Sequence, residues 1–96
     1  MSSQLPKDVR AYKRTPTFSE ATVPAGLLGR HATKAGVWGL IRVEEGELHY
    51  VITDPRREIT RLVLTPLSEP GVVEPTIIHH VETAGAVRFH VEFLRP

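Results

Sequence analysis

Residues 87–93 alternate between apolar and polar side chains, and this period of two constrains the fold more than any other feature. The odd-numbered residues, from Val87 to Phe93, are apolar, and the even-numbered residues, from Arg88 to Glu92, are polar. Successive side chains of a strand point to opposite faces of the sheet. The segment therefore predicts a β-strand with one face in a core.

Further β-prone runs recur along the chain at 37–43, 47–52 and 58–64. Between the runs, Pro and Gly mark turns, and the pattern predicts a short hairpin loop at Glu44–Gly46 and a turn at Thr83–Ala86. Helix signals are poor, and the best candidate, Ala25–Arg30, predicts a turn at most. Short strands at this spacing favour an all-β sandwich or barrel.

Composition narrows the function classes. The 96 residues predict one domain over 1–96 that includes an extended arm over 1–17. There is no cysteine, which excludes disulfides, thiolate zinc sites and a Cys nucleophile and is compatible with a cytoplasmic protein. The net charge of +1 and the lack of a long apolar run predict no nucleic-acid partner and no membrane span or signal peptide.

Two adjacent histidines stand out in the run Glu74–Glu82. Imidazole is the commonest metal ligand in proteins and titrates near neutral pH. Because neighbouring strand residues face opposite ways, only one of His79 and His80 can face a given pocket. The register predicts that His79 points inward together with Ile77 and Val81, and that His80 and Glu82 point outward.

Two segments resemble the cupin pattern. Val43–Leu48 is similar to the end of the first cupin motif, and Pro70–His79 is similar to the second, a Pro-rich loop that leads to a single His. More specifically, the chain resembles the small cupin domain of TehB-type tellurite-resistance proteins. The segments that carry this resemblance are Tyr12–Pro16, Thr22–Pro24, His31–Gly39, Gly71–Pro75, His79–Glu82 and Arg88–Phe93.

The resemblance implies a cupin-like jelly-roll barrel, a double-stranded β-helix, with a metal or ligand between its sheets. In fused members of the family a methyltransferase domain follows the cupin, whereas this chain stops at Pro96. No Gly-rich strand–turn–helix for a nucleotide-type cofactor is present, so methyl transfer by this chain is not predicted. General metal-binding cupins carry two His and a Glu in the first motif. Here that region supplies only His31, so a full three-His-one-Glu site cannot be carried over.

The candidate metal ligands follow from this comparison. Cupin geometry would bring His31 beside His79, and two imidazoles with one carboxylate would suit a divalent metal, Zn²⁺ or Fe²⁺. Glu74 is the candidate carboxylate, and His80 is a further candidate ligand. Each has a structural alternative: His79 as a buried core residue, His31 as a loop cap, Glu74 as a solvated side chain.

Candidate ligand-pocket residues are Trp38, Lys34 and Arg42. Lys34 would oppose a cation and favour an anionic ligand, whereas a lone Trp on a strand is also typical of core packing. His90 faces away from the apolar stripe and is predicted to be exposed or at an interface. No nucleophile elbow or carboxylate pair predicts a catalytic residue.

Three hypotheses remain open at this point. The first is a binding module that holds a metal ion or a small anionic ligand, with a link to tellurite or oxyanion stress that the resemblance implies. The second is a metal-dependent cupin enzyme of the dioxygenase or isomerase type. The third is a non-catalytic interaction domain that forms a homodimer.

Overall fold

The computed structural model describes residues 5–96, so the first four residues of the predicted arm lie outside the described range. Within this range the chain forms six strands and one short helix, which is the segment predicted to be a turn at most. In chain order they are β1 (Arg10–Arg14), β2 (Phe18–Ser19), α1 (Ala25–Leu28), β3 (Trp38–Ile52), β4 (Thr60–Leu64), β5 (Gly71–Val73) and β6 (His79–Arg95).

All the strand pairs are antiparallel and belong to one sheet. The order is β1-β6-β3-β4, with β2 paired to β6 and β5 paired to β3. The predicted all-β class is confirmed. Within residues 5–96 no pairing of strands closes the sheet, so the closed jelly-roll barrel that the resemblance implied is not confirmed.

The predicted loops at Glu44–Gly46 and Thr83–Ala86 are wrong, because both segments lie inside long strands. β3 and β6 run side by side from the Trp38–Leu94 pair to the Ile52–His79 pair. The register shifts twice, between Val43 and Glu45 and between Gly46 and Leu48. Such bulges bend a strand without ending it, and Gly46 supplies the positive φ of 78° that one of them needs.

The core lies on one face of the β3–β6 pair. Its most deeply buried side chains include Tyr50, Phe89, Leu48 and Val87. The Tyr50 hydroxyl donates a hydrogen bond to the carbonyl of Val72 at 2.9 Å, so the polar end of this ring is satisfied. Burial raises the pKa of Tyr50 and keeps the phenol neutral.

The apolar stripe of the last strand is confirmed. Phe89 is fully buried, and Val87 and Val91 are buried with it, while Arg88 is exposed. The core therefore takes the face that the alternation predicted. In the range 5–96, no helix is long and apolar enough to cross a membrane.

Candidate functional site

His31 and His79 form the centre of the candidate site. Their backbones pair as an isolated antiparallel bridge, with His31 N to His79 O at 3.0 Å and His79 N to His31 O at 2.9 Å. Their rings meet edge to face, and His31 Nδ1 lies 3.4 Å from His79 Nε2. The structure therefore brings together two histidines that are 48 positions apart in the sequence.

The loops on either side of this bridge are tied together. Thr76 N donates to the carbonyl of Thr33 at 3.0 Å, and the Thr33 hydroxyl donates to the carbonyl of Val37 at 2.7 Å. Thr76 has a positive φ of 66°, which is uncommon for a residue other than Gly. These contacts fix the backbone that follows His31 and the backbone that precedes His79, so the ring geometry is built into the fold.

His79 is held neutral by its surroundings. Its ring is buried, Nδ1 lies 2.9 Å from the carbonyl oxygen of Ile77, and the Tyr50 ring packs against it edge to face with centroids 5.6 Å apart. Burial lowers the pKa of His79 because the charged imidazolium loses hydration, and the neighbouring His31 lowers it further. The inward orientation predicted for His79, Ile77 and Val81 is confirmed, since all three are buried.

A cavity of about 270 Å³ opens beside the two histidines. Its walls come from Thr15, which follows β1, and from β2, α1, β3, β5 and β6. The lining residues are Thr15, Phe18, Pro24, Gly26, Leu27, His31, Thr33, Gly39, Ile41, Val73, His79, Val81, Phe89, Val91 and Phe93. The volume lies near the lower end of the range for small-molecule sites, so the cavity suits a small ligand.

Within residues 5–96 the lining carries no charged side chain, and its polar side chains are Thr15, Thr33 and the two histidines. Most of the wall is aliphatic or aromatic. Sequence reasoning missed Phe18 and Leu27 as lining residues because they lie in a two-residue strand and a one-turn helix, where no periodic pattern develops. The Pro24 start of α1 was the one available signal.

The other predicted metal ligands lie away from this cavity. Glu74 pairs with Arg57, with the closest oxygen and nitrogen 2.6 Å apart. The His80 ring lies 2.8 Å from a carboxylate oxygen of Glu82 on the opposite face of β6, which agrees with the outward orientation predicted for both.

The predicted pocket residues are also dispersed. Lys34 is exposed and lines a shallow hollow on the outer side of His31, next to Tyr12 and Lys13. Trp38 is half-buried at the start of β3 and does not line the cavity. Arg42 is exposed and forms an ion pair with Glu92 on the outer face of the sheet. The assignment of these three residues to a ligand stays a prediction.

The predicted exposure of His90 is wrong, and its place at an interface stays a prediction. Its Nδ1 lies 2.7 Å from a Glu44 carboxylate oxygen, and only 9% of the residue is exposed. Thr65, Pro66, Ser68, Pro70 and Glu44 line a hollow together with His90, an arrangement that the alternation pattern alone could not indicate. The hydrogen bond from His90 is the main cause that lowers the pKa of Glu44.

A family model for the TehB-like domain matches residues 13–91. The chain belongs to the TehB-like family. It is 35% identical over 72 residues to the probable S-adenosyl-L-methionine-dependent methyltransferase TehB of Haemophilus influenzae strain Rd, and 32% identical to the protein of the same name in strain 10810. Each alignment covers 74% of this chain and 25% of the relative, so the chain spans about a quarter of the length of these relatives.

Two solved structures share the fold. The crystal structure of Haemophilus influenzae TehB matches with a TM-score of 0.84 at 25% identity, over 93% of this chain and 32% of that one. A crystal structure of a protein from Escherichia coli strain K12 matches with a TM-score of 0.83 at 24% identity, over 98% of both chains. The second match shows that this TehB-like fold also occurs in a protein of about the same length.

These findings correct the predicted function and cofactor. The binding module for a metal or small anion is wrong, as is a Zn²⁺ or Fe²⁺ cofactor, because the relatives are named as S-adenosyl-L-methionine-dependent methyltransferases. The described residues also contain no group of three or more His, Cys, Asp or Glu side chains that could hold a metal ion. The hypothesis of a metal-dependent enzyme is wrong for the same reason, because it required that cofactor. The homodimer and the cytoplasmic location stay predictions.

The cavity residues do not fit S-adenosyl-L-methionine. That cofactor carries a ribose diol, an α-ammonium, a carboxylate and a sulfonium, each of which needs a polar or charged partner when buried. The lining offers neither an acidic nor a basic side chain. The strands that form it are antiparallel and lack the strand–loop–helix unit with a helix N-terminus that dinucleotide-type sites use.

Proposed function

We propose that this chain is an accessory domain of S-adenosyl-L-methionine-dependent methyl transfer, which binds a small uncharged molecule in the cavity beside His31 and His79. The observation that carries the proposal is the chemistry of that cavity, whose lining is almost wholly apolar and contains no charged side chain. Such a lining favours an uncharged ligand, because a buried ion without a partner is strongly disfavoured.

The relatives supply the link to methyl transfer. TehB of Haemophilus influenzae is named as a probable methyltransferase, and this chain matches about a quarter of it. A methyltransferase must bind both a methyl donor and a methyl acceptor. Since the cavity does not suit the donor, the proposal assigns the acceptor or the methylated product to this chain and the donor to a separate unit.

The first test asks whether the cavity binds an apolar probe. 2-Naphthol, a neutral aromatic alcohol, is titrated into the ¹⁵N-labelled chain, and we expect amide shifts at Gly39, Val73 and Val91 that saturate. Leu27→Trp should abolish this binding because Leu27 lines the cavity. Leu28→Trp is the matched control, since Leu28 is exposed on the same helix and lies outside the lining.

The second test concerns the methyl donor. Calorimetry should detect no S-adenosyl-L-methionine binding to this chain. A chimera in which the chain replaces the matching segment of Haemophilus influenzae TehB should bind the donor equally well with or without Leu27→Trp. Saturable donor binding by the chain alone, or its loss from the Leu27→Trp chimera, would overturn the proposed division of labour.

A further inference from the structure

The hydrogen bonds around the two histidines fix the positions of their ring protons. The carbonyl oxygen of Ile77 can only accept, so His79 Nδ1, 2.9 Å away, must carry a proton and donate it. Burial lowers the pKa of His79, so this ring is neutral and its Nε2 holds a lone pair. The Nδ1 of His31 faces that lone pair at 3.4 Å and therefore carries the donated proton.

In the neutral pair, His31 Nε2 is then a hydrogen-bond acceptor. Across residues 5–96 it makes no hydrogen bond, although the His31 ring lines both the cavity and the shallow hollow outside it. The series of hydrogen bonds from Ile77 through His79 to His31 thus ends in one unused acceptor, on a ring that lines an apolar space.

The hydroxyl hydrogens of the remaining polar side chains in the cavity are also already donated. The Thr15 hydroxyl donates to the carbonyl of Pro16 at 2.9 Å and accepts from Val91 N at 3.0 Å. The Thr33 hydroxyl donates to the carbonyl of Val37. Among the lining residues that the structure describes, every side-chain hydrogen that could be donated is therefore already used within the protein. A ligand finds side-chain acceptors there and no free side-chain donor.

We infer that the cavity selects a small apolar molecule with one O–H, S–H or N–H group, which donates its hydrogen to His31 Nε2. A molecule that can only accept, such as an ether, thioether or carboxylate, gains no side-chain hydrogen bond in the same place. The inference deepens the proposed function and rests on it, since it names the ligand class of that site.

This preference for a hydrogen-bond donor would distinguish the acceptor from the product of methyl transfer. In that reaction the acceptor loses its proton to solvent, the methyl group moves from the donor sulfonium to the acceptor heteroatom, and S-adenosyl-homocysteine leaves. An O–H or S–H acceptor so becomes an O–CH₃ or S–CH₃ product that can no longer donate. The cavity therefore prefers the unmethylated acceptor and releases the methylated product.

The test compares 2-naphthol with 2-methoxynaphthalene, which have the same ring and differ in the donated hydrogen. At pH 8, where a free imidazole is neutral, we expect the alcohol to bind ~3–10-fold more tightly, the range of one net hydrogen bond. His31→Phe removes this Nε2 but frees the Nε2 lone pair of His79, which also lines the cavity. In the double variant His31→Phe/His79→Phe both acceptors are absent, so the preference should vanish or reverse toward the more apolar ether. His49→Phe, outside the cavity lining, is the matched control and should leave the preference unchanged.

The outcomes separate the two proposals. Equal affinities, tighter ether binding by the unmodified chain, or a preference that survives His31→Phe/His79→Phe would overturn the acceptor role and leave cavity binding intact. Binding of neither compound would overturn the proposed function itself. Long-range ¹H–¹⁵N spectra of the unmodified protein give a check without a variant. Protons on Nδ1 of both rings are expected. A proton on His79 Nε2 would contradict the hydrogen bonds from His31 to His79 and from His79 to Ile77.

Discussion

The buried carboxylate of Asp54 accepts a hydrogen bond from the backbone nitrogen of Ile78 at 2.9 Å. The same carboxylate accepts from the backbone nitrogen and the guanidinium of Arg56, and that guanidinium also donates to the carbonyl of Thr76. Residues 76–78 are thus clamped immediately before His79. The turn after β3 therefore positions the ring on which the candidate site depends.

Asp54→Asn should weaken this clamp and lower the thermal midpoint by several degrees. The neutral amide loses the ion pair with Arg56 and turns one acceptor oxygen into a donor that faces other donors. Thermal unfolding followed by circular dichroism measures the change, and ring signals of His31 and His79 should shift with it. Asp8→Asn is the control, since Asp8 is exposed in the N-terminal segment. An unchanged midpoint for Asp54→Asn would contradict the positioning role.

Stability should decline as the solution is acidified from pH 7 through the ordinary His pKa of about 6.5. The folded-state pKa of His79 is lowered by burial, so the unfolded chain binds the proton more readily than the folded chain. The free energy of unfolding therefore rises with pH between the lowered pKa of His79 and about 6.5. Above that window the contribution of His79 to stability is fully present.

Urea titrations at pH 7.5, 6.5 and 5.5 measure this slope. In His79→Phe the His79 part of the slope should be absent, whereas His49→Phe should retain it, because His49 is less buried and pairs with Glu47 at 2.9 Å. A slope of equal size in the His79 variant would assign the effect to other groups.

Arg61 holds the carboxylate of Glu82 in its charged form. The hydrogen bond from Arg61 at 2.7 Å is the main cause that lowers the pKa of Glu82 to about 2. The hydrogen bond with His80 is the second cause. Arg61→Gln should raise this pKa toward the ordinary value, as read from the side-chain carboxyl shift during an NMR pH titration. Arg88→Gln, which removes a looser pair with Glu45 at 3.6 Å, should leave the Glu82 titration in place.

The sequence predicted the inward face of β6 because buried alternation has a period of two, and His79, Val81 and the preceding Ile77 follow it. It also anticipated that His31 would meet His79, through resemblance to a known motif and not through local pattern. The metal hypothesis failed because the ring pair has no third ligand among the described residues. Instead, hydrogen bonds and apolar walls surround the two rings, and residue spacing alone predicts neither of them.

The predicted loop at Glu44–Gly46 was wrong for a different reason. A Gly with positive φ beside two charged residues is typical of a hairpin turn and equally of a bulge inside a strand. The choice depends on whether the neighbouring strand continues alongside, and β6 pairs with β3 on both sides of the two register shifts. Local sequence carries no information about that partner.

Gly46 and Gly36 provide a matched pair that separates backbone strain from lack of space. Their φ angles are nearly equal, at 78° and 79°. A Cβ on Gly46 would overlap the carbonyl oxygen of Ala86, whereas a Cβ on Gly36 would meet no atom within 4 Å. Gly36→Ala should therefore lower the free energy of unfolding by ~1 kcal/mol, the strain of positive φ alone. Gly46→Ala should lower it by about 3 kcal/mol, because overpacking adds to the strain.

Urea unfolding of both variants at neutral pH measures the difference. Because the overlap falls on β6, Gly46→Ala should also change the amide shifts of Ala86 and Val87, and Gly36→Ala should not. If the two variants lost the same stability, the close approach of β3 to β6 at this bulge would be contradicted. A larger loss for Gly46→Ala would support the continuous β3–β6 pair that holds His79 against His31.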